Sequence, residues 1–574
     1  MTLTDLENGI ADNTSRSKRL WIDLTSRIAS ISVTTNTKIM TLLIAIGALF
    51  RFVLLGNTPS PFVDELLAAI DFRSTLRTGR HYTGLPIDLL GRITPILDGR
   101  YITHFLIGDS IGDFRLTSAI LGTATIYILY RICVELFGVE TGLWAAASLA
   151  IMPWAIYYSR VDIPASEYVF ATATCLFCVI VAVRRKSLPA ALLGSLSAAL
   201  TFYIYPTALV STPLLVIATL LVLFREARSF PLRKIALVVI ASILLLIPYL
   251  WDHLVSSGSK ATASLNPIIT SRLLWNQHFS LGKQIHLFVV NWSSFISPRF
   301  IFLSGDPNVR QSIQSMGEVG WCLSVLGIYG ILVCLSRRNR ADSLLLILLF
   351  VYPIADALTY QNAYSSSVVG ATGQIPWACL AAVGAVSIVG SMRRHYKSIA
   401  AALVVVALAV QCVVFGLIYF GSYDTRYGYA FEPSNEYNKA IDAIKDAGLE
   451  TVPIIDQSGY LRDLVFEYYS NYELRIYSWY TSCSVLPSDV ARHAVSPKVF
   501  VLSETTAYAG DANCIPATST ITASISRLRA AGWHIEVLAN YENSLRSRYR
   551  TSVVYATRHI VEKSLKRHVT RKFN

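Results

Sequence analysis

Ser60-Pro61-Phe62-Val63-Asp64-Glu65 sets two adjacent carboxylates just beyond the first long apolar stretch of the chain, Ile39 to Leu55. Ionised carboxylates are costly inside a bilayer, so a pair at the edge of an apolar segment needs a reason. One reason is structural: Pro61 opens a helix, and Asp64 and Glu65 favour the positive end of its dipole. The other is chemical: such a carboxylate is a general base for an attacking hydroxyl. No histidine lies within a short helical spacing of Asp64; His81 and His104 share its loop and read as surface residues. A divalent metal is possible at an acidic pair, but no obligatory metal or other cofactor is expected.

The elements that must position this pair are membrane spans. Of 574 residues, 53% are hydrophobic and 15% charged, against about 25% charged in soluble domains. The net charge of +13 does not signal nucleic acid, because the basic residues fall in short clusters between apolar segments. Apolar runs place eleven spans at about 38–56, 116–137, 141–158, 166–183, 188–204, 207–224, 235–250, 317–335, 343–358, 368–390 and 398–420. Arg184-Arg185-Lys186, Arg225 to Lys234, Arg337 to Arg340 and Arg393 to Lys397 follow every second span, and Arg131 marks the same side. Residues 1–37 then form a cytoplasmic leader without a cleavable signal peptide, and the C-terminus lies outside, in a multi-pass inner or plasma membrane protein. Three polar stretches converge on the outer face: loop 57–113 with the acidic pair, the turn holding Arg160 and Asp162, and loop 251–316.

Residues 421–574 read as a soluble α/β domain. Strands are expected at Thr451–Asp456, Lys498–Ser503 and Trp533–Leu538, with helices at 437–447, 461–469 and 521–531. No Gly-rich phosphate loop marks a nucleotide site there. Arg558 to Lys572 forms a basic tail, suited to a solvated face or to anionic headgroups. Seven cysteines lie in or near apolar segments without metal-ligand spacing; Cys483 and Cys514, in the polar tail, suit pairing in an oxidising compartment.

Four patches give the chain a family likeness: Phe62-Val63-Asp64-Glu65; Asp113-Phe114-Arg115-Leu116 leading to Gly122 and Glu135-Leu136-Phe137-Gly138; Met152-Pro153-Trp154 through Ser159-Arg160; and Ser297-Pro298-Arg299-Phe300 with Gly305-Asp306-Pro307-Asn308-Val309-Arg310. In these, over roughly residues 50–420, the chain resembles the GT-C class of membrane glycosyltransferases. The family 39 branch, with protein O-mannosyltransferases and the lipid A aminoarabinose transferase, is the nearest likeness. The resemblance implies a GT-C-like helical membrane domain and a polyprenyl-phosphate sugar as donor. It further implies inverting attack by a glycan, lipid or protein hydroxyl, with Asp64 as base and Glu65 orienting it or contacting the sugar. It makes Arg160, Arg299 and Arg310 candidates for the donor phosphate, since guanidinium matches phosphate oxygens in a fork. Relatives often carry a second acid shortly after the span 3 Ser-Arg; here Asp162 and Glu167 are the alternatives.

Two other classes compete. A transporter or flippase of lipid-linked sugars predicts inverted repeats and charges within broken helices; no matching pair of interrupted spans is present, and the charges cluster at span edges. A non-catalytic membrane assembly protein would make the acidic pair incidental.

Overall fold

The computed structural model describes residues 35–61, 63–80, 110–256, 277–360 and 366–427, a few isolated positions (103, 106–108, 273–274, 526, 529–530), and the strands of the C-terminal region. Among the described residues, helix α1 (Thr35–Phe52) is followed by a short helix, α2 (Val63–Thr78), and then by α3 (Ile111–Phe137) and α4 (Val139–Ile151). Pro153 restarts the chain as α5 (Pro153–Tyr158), and α6 (Ala165–Arg185), α7 (Leu188–Ile204), α8 (Ala208–Val222) and α9 (Leu232–Ser256) complete the first part. After α10 (Leu281–Ser294) come α11 (Trp321–Arg337), α12 (Arg340–Val351), α13 (Gln374–Ser391) and α14 (Lys397–Gly421). Helices therefore occupy all eleven expected spans, with Pro153 dividing the third. Among the described residues, five stretches are long and apolar enough to cross a membrane by themselves: 111–137, 165–185, 232–251, 371–391 and 394–421.

The core lies around α13, most of whose residues are buried. Its approach to α11 is set by two glycines. A Cβ on Gly384 would sit 2.0 Å from the Leu326 carbonyl oxygen, and one on Gly330 would sit 2.0 Å from that of Leu380. Lipid gives helices no hydrophobic drive to associate, so close backbone packing of this kind supplies the attraction instead. Gly122 does the same for α3, where a Cβ would meet Ser159 Oγ at 2.0 Å.

Ser110 and Asp113 form a capping box at the start of α3: Ser110 Oγ accepts from the Asp113 N–H, and Asp113 Oδ2 accepts from the Ser110 N–H at 2.9 Å. Such a box satisfies two of the orphan donors at a helix start. Asp113 thus serves to begin the helix that carries Arg115.

Short apolar segments at 287–290 and 300–303 are expected to lie at an interface without spanning. The first is part of α10, and the second is a π-turn, Arg299–Leu303. On α2, Leu66 and Ile70 are buried as the helical face requires, but Leu76 is 38% exposed. The face turns instead through Ala69, Phe72 and Arg73, and Phe72 packs edge-on against Phe114 of α3 at 5.5 Å.

In the C-terminal region β1 (Thr451–Asp456), β2 (Arg475–Tyr480) and β3 (Leu502–Ser503) form a parallel sheet in the order β2-β1-β3. Parallel strands need crossover connections, which suits an α/β arrangement. β4 (Trp533–Glu542) and β5 (Arg550–Arg558) pair antiparallel. β2 and β5 are additions to the expected strands. The expected helices at 437–447 and 461–469, most of that at 521–531, Cys483, Cys514 and the tail beyond Arg558 lie outside the described residues.

Candidate active site

The acidic pair divides at the start of α2. Asp64 is exposed, whereas Glu65 is fully buried. Consecutive helical residues point about 100° apart, so one helix start can send two carboxylates in different directions.

Glu65 meets Arg115 in a fork-to-fork ion pair. Arg115 Nε donates to Oε1 at 2.8 Å and Nη2 to Oε2 at 2.6 Å, both side chains being 0% exposed. The remaining guanidinium nitrogen, Nη1, donates to the carbonyls of Leu55 at 3.0 Å and Pro59 at 2.7 Å. Glu65 Oε1 also accepts from the main-chain N–H of Asp162 at 2.6 Å. A buried charge pair is tolerable only when its lone pairs and protons are satisfied in this way. One ion pair therefore joins α2, α3, the connector after α1 and the turn after α5.

Arg160 extends the same clamp. Its Nη1 donates to Phe50 O at 2.7 Å, and its Nη2 to Leu54 O at 3.2 Å and Thr58 O at 2.8 Å. The guanidinium lies over the rings of Tyr419 and Phe420, at 5.4 and 4.8 Å from their centroids. Arg160 has no exposed surface, and its two terminal nitrogens are taken up by these carbonyls. Helix ends leave carbonyls without partners, and Arg160 caps those at the end of α1. Arg51 fills a similar place one turn earlier, donating to carbonyls of Gly47, Leu149 and Ala150 and to Ser159 Oγ at 2.9–3.2 Å.

The second-acid candidates are both inward. Asp162 is 7% exposed and adjoins Glu65 through its N–H; Glu167 is 4% exposed and accepts from Ser118 Oγ at 2.7 Å, tying α6 to α3. Asp424, just after α14, accepts from the N–H of Ser60 at 3.2 Å. Burial raises its pKa, while the Ser60 N–H and the charges of Arg115 and Arg160 act the other way.

Arg310 is the expected cation that reaches Asp64. Crowding by the surrounding protein raises the Asp64 pKa above the usual carboxylate range; the Arg310 charge opposes the rise and the Glu65 charge adds to it. Arg310 is held in place through its backbone. Its carbonyl accepts from Tyr157 Oη at 2.5 Å, its N–H donates to Asn308 Oδ1 at 3.0 Å, and the preceding carbonyl of Val309 accepts from Tyr423 Oη. Behind this turn Asp306, 2% exposed, accepts from the N–H groups of Asn308 and Ser367, each at 2.7 Å. Burial pushes the Asp306 pKa up to about 6. Arg299 is exposed at the start of the π-turn.

Sequence reasoning missed Arg51 and Asp424 as site neighbours, and it treated Arg115 only as part of a likeness. The available signal was the position of Arg51 and Arg115 within apolar runs, where a lone arginine must find partners.

A family model described as dolichyl-phosphate-mannose-protein mannosyltransferase matches residues 101–251. ArnT from Cupriavidus metallidurans bound to undecaprenyl phosphate is similar in structure, with a TM-score of 0.53, 14% identity, and coverage of 90% of this chain and 97% of that one. Its apo form gives 0.52, 14%, 91% and 98%. The oligosaccharyltransferase AglB from Archaeoglobus fulgidus, in complex with an inhibitory peptide and a dolichol-phosphate, gives 0.46 at 12% identity over 77% of this chain; the match spans 64% of that protein's length. No curated protein matches in sequence.

Proposed function

We propose that the protein is an inverting membrane glycosyltransferase. It moves a sugar from a polyprenyl-phosphate donor to a hydroxyl of a glycan, lipid or protein on the extracytoplasmic face. The observation that carries this reading is the division of the acidic pair: Glu65 is locked on Arg115, while Asp64 is exposed and within the field of the Arg310 charge. Asp64 removes the proton from the acceptor hydroxyl as its oxygen attacks the anomeric carbon. The bond from that carbon to the phosphate oxygen breaks on the opposite face, and polyprenyl phosphate leaves with the electron pair. Arg310 and Arg299 meet the phosphate charge, a role suited to guanidinium geometry. Glu65 acts through Arg115 to hold the connector that leads into α2, the helix from which Asp64 projects. A raised pKa suits a base, since catalytic groups work best when their pKa lies near the operating pH. The structural similarity to ArnT, which was solved with undecaprenyl phosphate bound, supports the donor class. No obligatory metal enters this scheme.

The test is release of polyprenyl phosphate from polyprenyl-phosphate sugars by purified protein in lipid, with Asp64→Asn beside wild type. Loss of a general base typically lowers the rate by about 100- to 10,000-fold. Equal release by both proteins would remove Asp64 as the base.

A further inference from the structure

At the end of the bundle opposite Asp64, α6, α7, α8 and α9 border a cavity of about 590 Å³. That volume falls in the range of pockets built for small ligands, about 300–1,000 Å³. Its walls are hydrocarbon, including Val179, Ala198, Leu220 and Val239. The two hydroxyls that reach it, Ser195 and Ser242, hydrogen-bond each other at 2.7 Å, so the interior makes no polar demand on an occupant. Polarity appears only at the mouth, where the turn after α8 contributes Arg228 to the lining.

The rest of that turn is also cationic. Arg225, Arg228 and Arg233 are exposed, and among the described residues their side chains make no hydrogen bond or ion pair. Lys186 and Lys234 brace the rim: Lys186 Nζ donates to Glu226 O, and Lys234 Nζ to Lys186 O at 2.7 Å. An apolar slot that opens among uncommitted guanidinium groups, at the basic end of a membrane bundle, has the complementarity of an anionic amphiphile.

We propose that this cavity is a binding site for an anionic phospholipid of the leaflet at the basic end of the bundle. One acyl chain fills the slot between α6 and α9, and the phosphate rests on Arg228, with Arg225 and Arg233 adding to the field. Surrounding lipid is as apolar as the slot, so filling it with hydrocarbon brings packing but little discrimination. Selectivity therefore resides in the headgroup charge. The proposal is independent of the transferase reading, because it concerns the opposite end of the bundle and shares no residue with Asp64, Glu65 or Arg310.

The experiment titrates the purified full chain with phosphatidylglycerol and with phosphatidylcholine and follows bound lipid by native mass spectrometry. Wild type is expected to retain phosphatidylglycerol more tightly than phosphatidylcholine. Arg228→Gln should weaken phosphatidylglycerol about five-fold, as the loss of one basic contact implies, and leave phosphatidylcholine unchanged. Ala198→Phe, which fills the slot, should lower retention of both lipids. Equal retention of the two lipids by wild type, or wild-type selectivity in Arg228→Gln, overturns the proposal. Arg228 is exposed and its substitution leaves the fold intact, so that arm decides even where Ala198→Phe fails to fold.

Discussion

Removing the arginine of the buried ion pair should be far more damaging than removing the pair. In Arg115→Met the carboxylate of Glu65 stays fully buried, keeping the Asp162 N–H but losing two charge-assisted bonds of 2.6 and 2.8 Å. The carbonyls of Leu55 and Pro59 lose their donor as well. Breaking one partner from a buried pair costs about 3–5 kcal/mol, and each carbonyl left unsatisfied adds about 1–3 kcal/mol unless water reaches it. A loss of at least about 5 kcal/mol is expected where water does not reach those carbonyls, and about 3–5 kcal/mol where it does. In Glu65→Gln/Arg115→Met no buried charge remains, so the double variant should recover about 2–3 kcal/mol of that loss. Equilibrium unfolding in mixed micelles, followed by tryptophan fluorescence, measures both. Activity supplies a second readout, because the connector leading into α2, which carries Asp64, is held by the same bonds; it should fall in both variants. An Arg115→Met protein within about 0.5 kcal/mol of wild type, or a double variant no more stable than the single, would refute the view that the pair is a buried clamp.

Other outcomes follow from the same geometry. Arg310→Gln removes the charge that opposes the rise of the Asp64 pKa; since a base must be deprotonated to act, the acid limb of the pH–rate profile should move to higher pH than in wild type, and a shift to lower pH contradicts the placement. Burial lifts Asp306 from 3.8 to about 6 in the folded protein. The folded state thus holds a proton that the unfolded state has released, and stability contributed by this group is greatest below about pH 4 and is lost as pH rises to about 6, by roughly 2–3 kcal/mol. Asp306→Asn should flatten that slope in unfolding curves. Gly384→Val sets a side chain against a backbone oxygen 2.0 Å away, so α11 and α13 must separate; about 1–3 kcal/mol of overpacking or more should appear as a lower melting temperature in detergent.

Spans were legible because a bilayer demands long apolar runs, and basic clusters between them punctuate the chain. α2 was legible from the Pro61 and acidic signals at its start. The pairing of Glu65 with Arg115 was not, since the two lie 50 positions apart in sequence and no local period links partners on different helices. The carbonyl partners of Arg160 were hidden for a related reason: a guanidinium suits phosphate and stray carbonyls equally well, and composition does not say which it meets. β2 escaped notice although Arg475–Tyr480 carries β-branched and aromatic residues, because a six-residue run of mixed polarity is a weak signal without its neighbours. The placing of Arg310 depends on Tyr157 and Tyr423 holding the backbone of residues 309 and 310, a contact between main-chain atoms and distant side chains that sequence periodicity does not record.

The carbonyl clamp also bears on how this region can change. Arg115 and Arg160 grip the connector after α1 at the carbonyl oxygens of Phe50, Leu54, Leu55, Thr58 and Pro59. Every amino acid carries that oxygen, so the clamp reads the path of the chain and ignores most of its spelling. The exposed connector residues Val53, Leu54 and Asn57 carry no such constraint on their side chains, whereas Leu55, Thr58 and Pro59 are buried, and Arg115 on α3 with Arg160 in the turn after α5 holds the route that leads into α2.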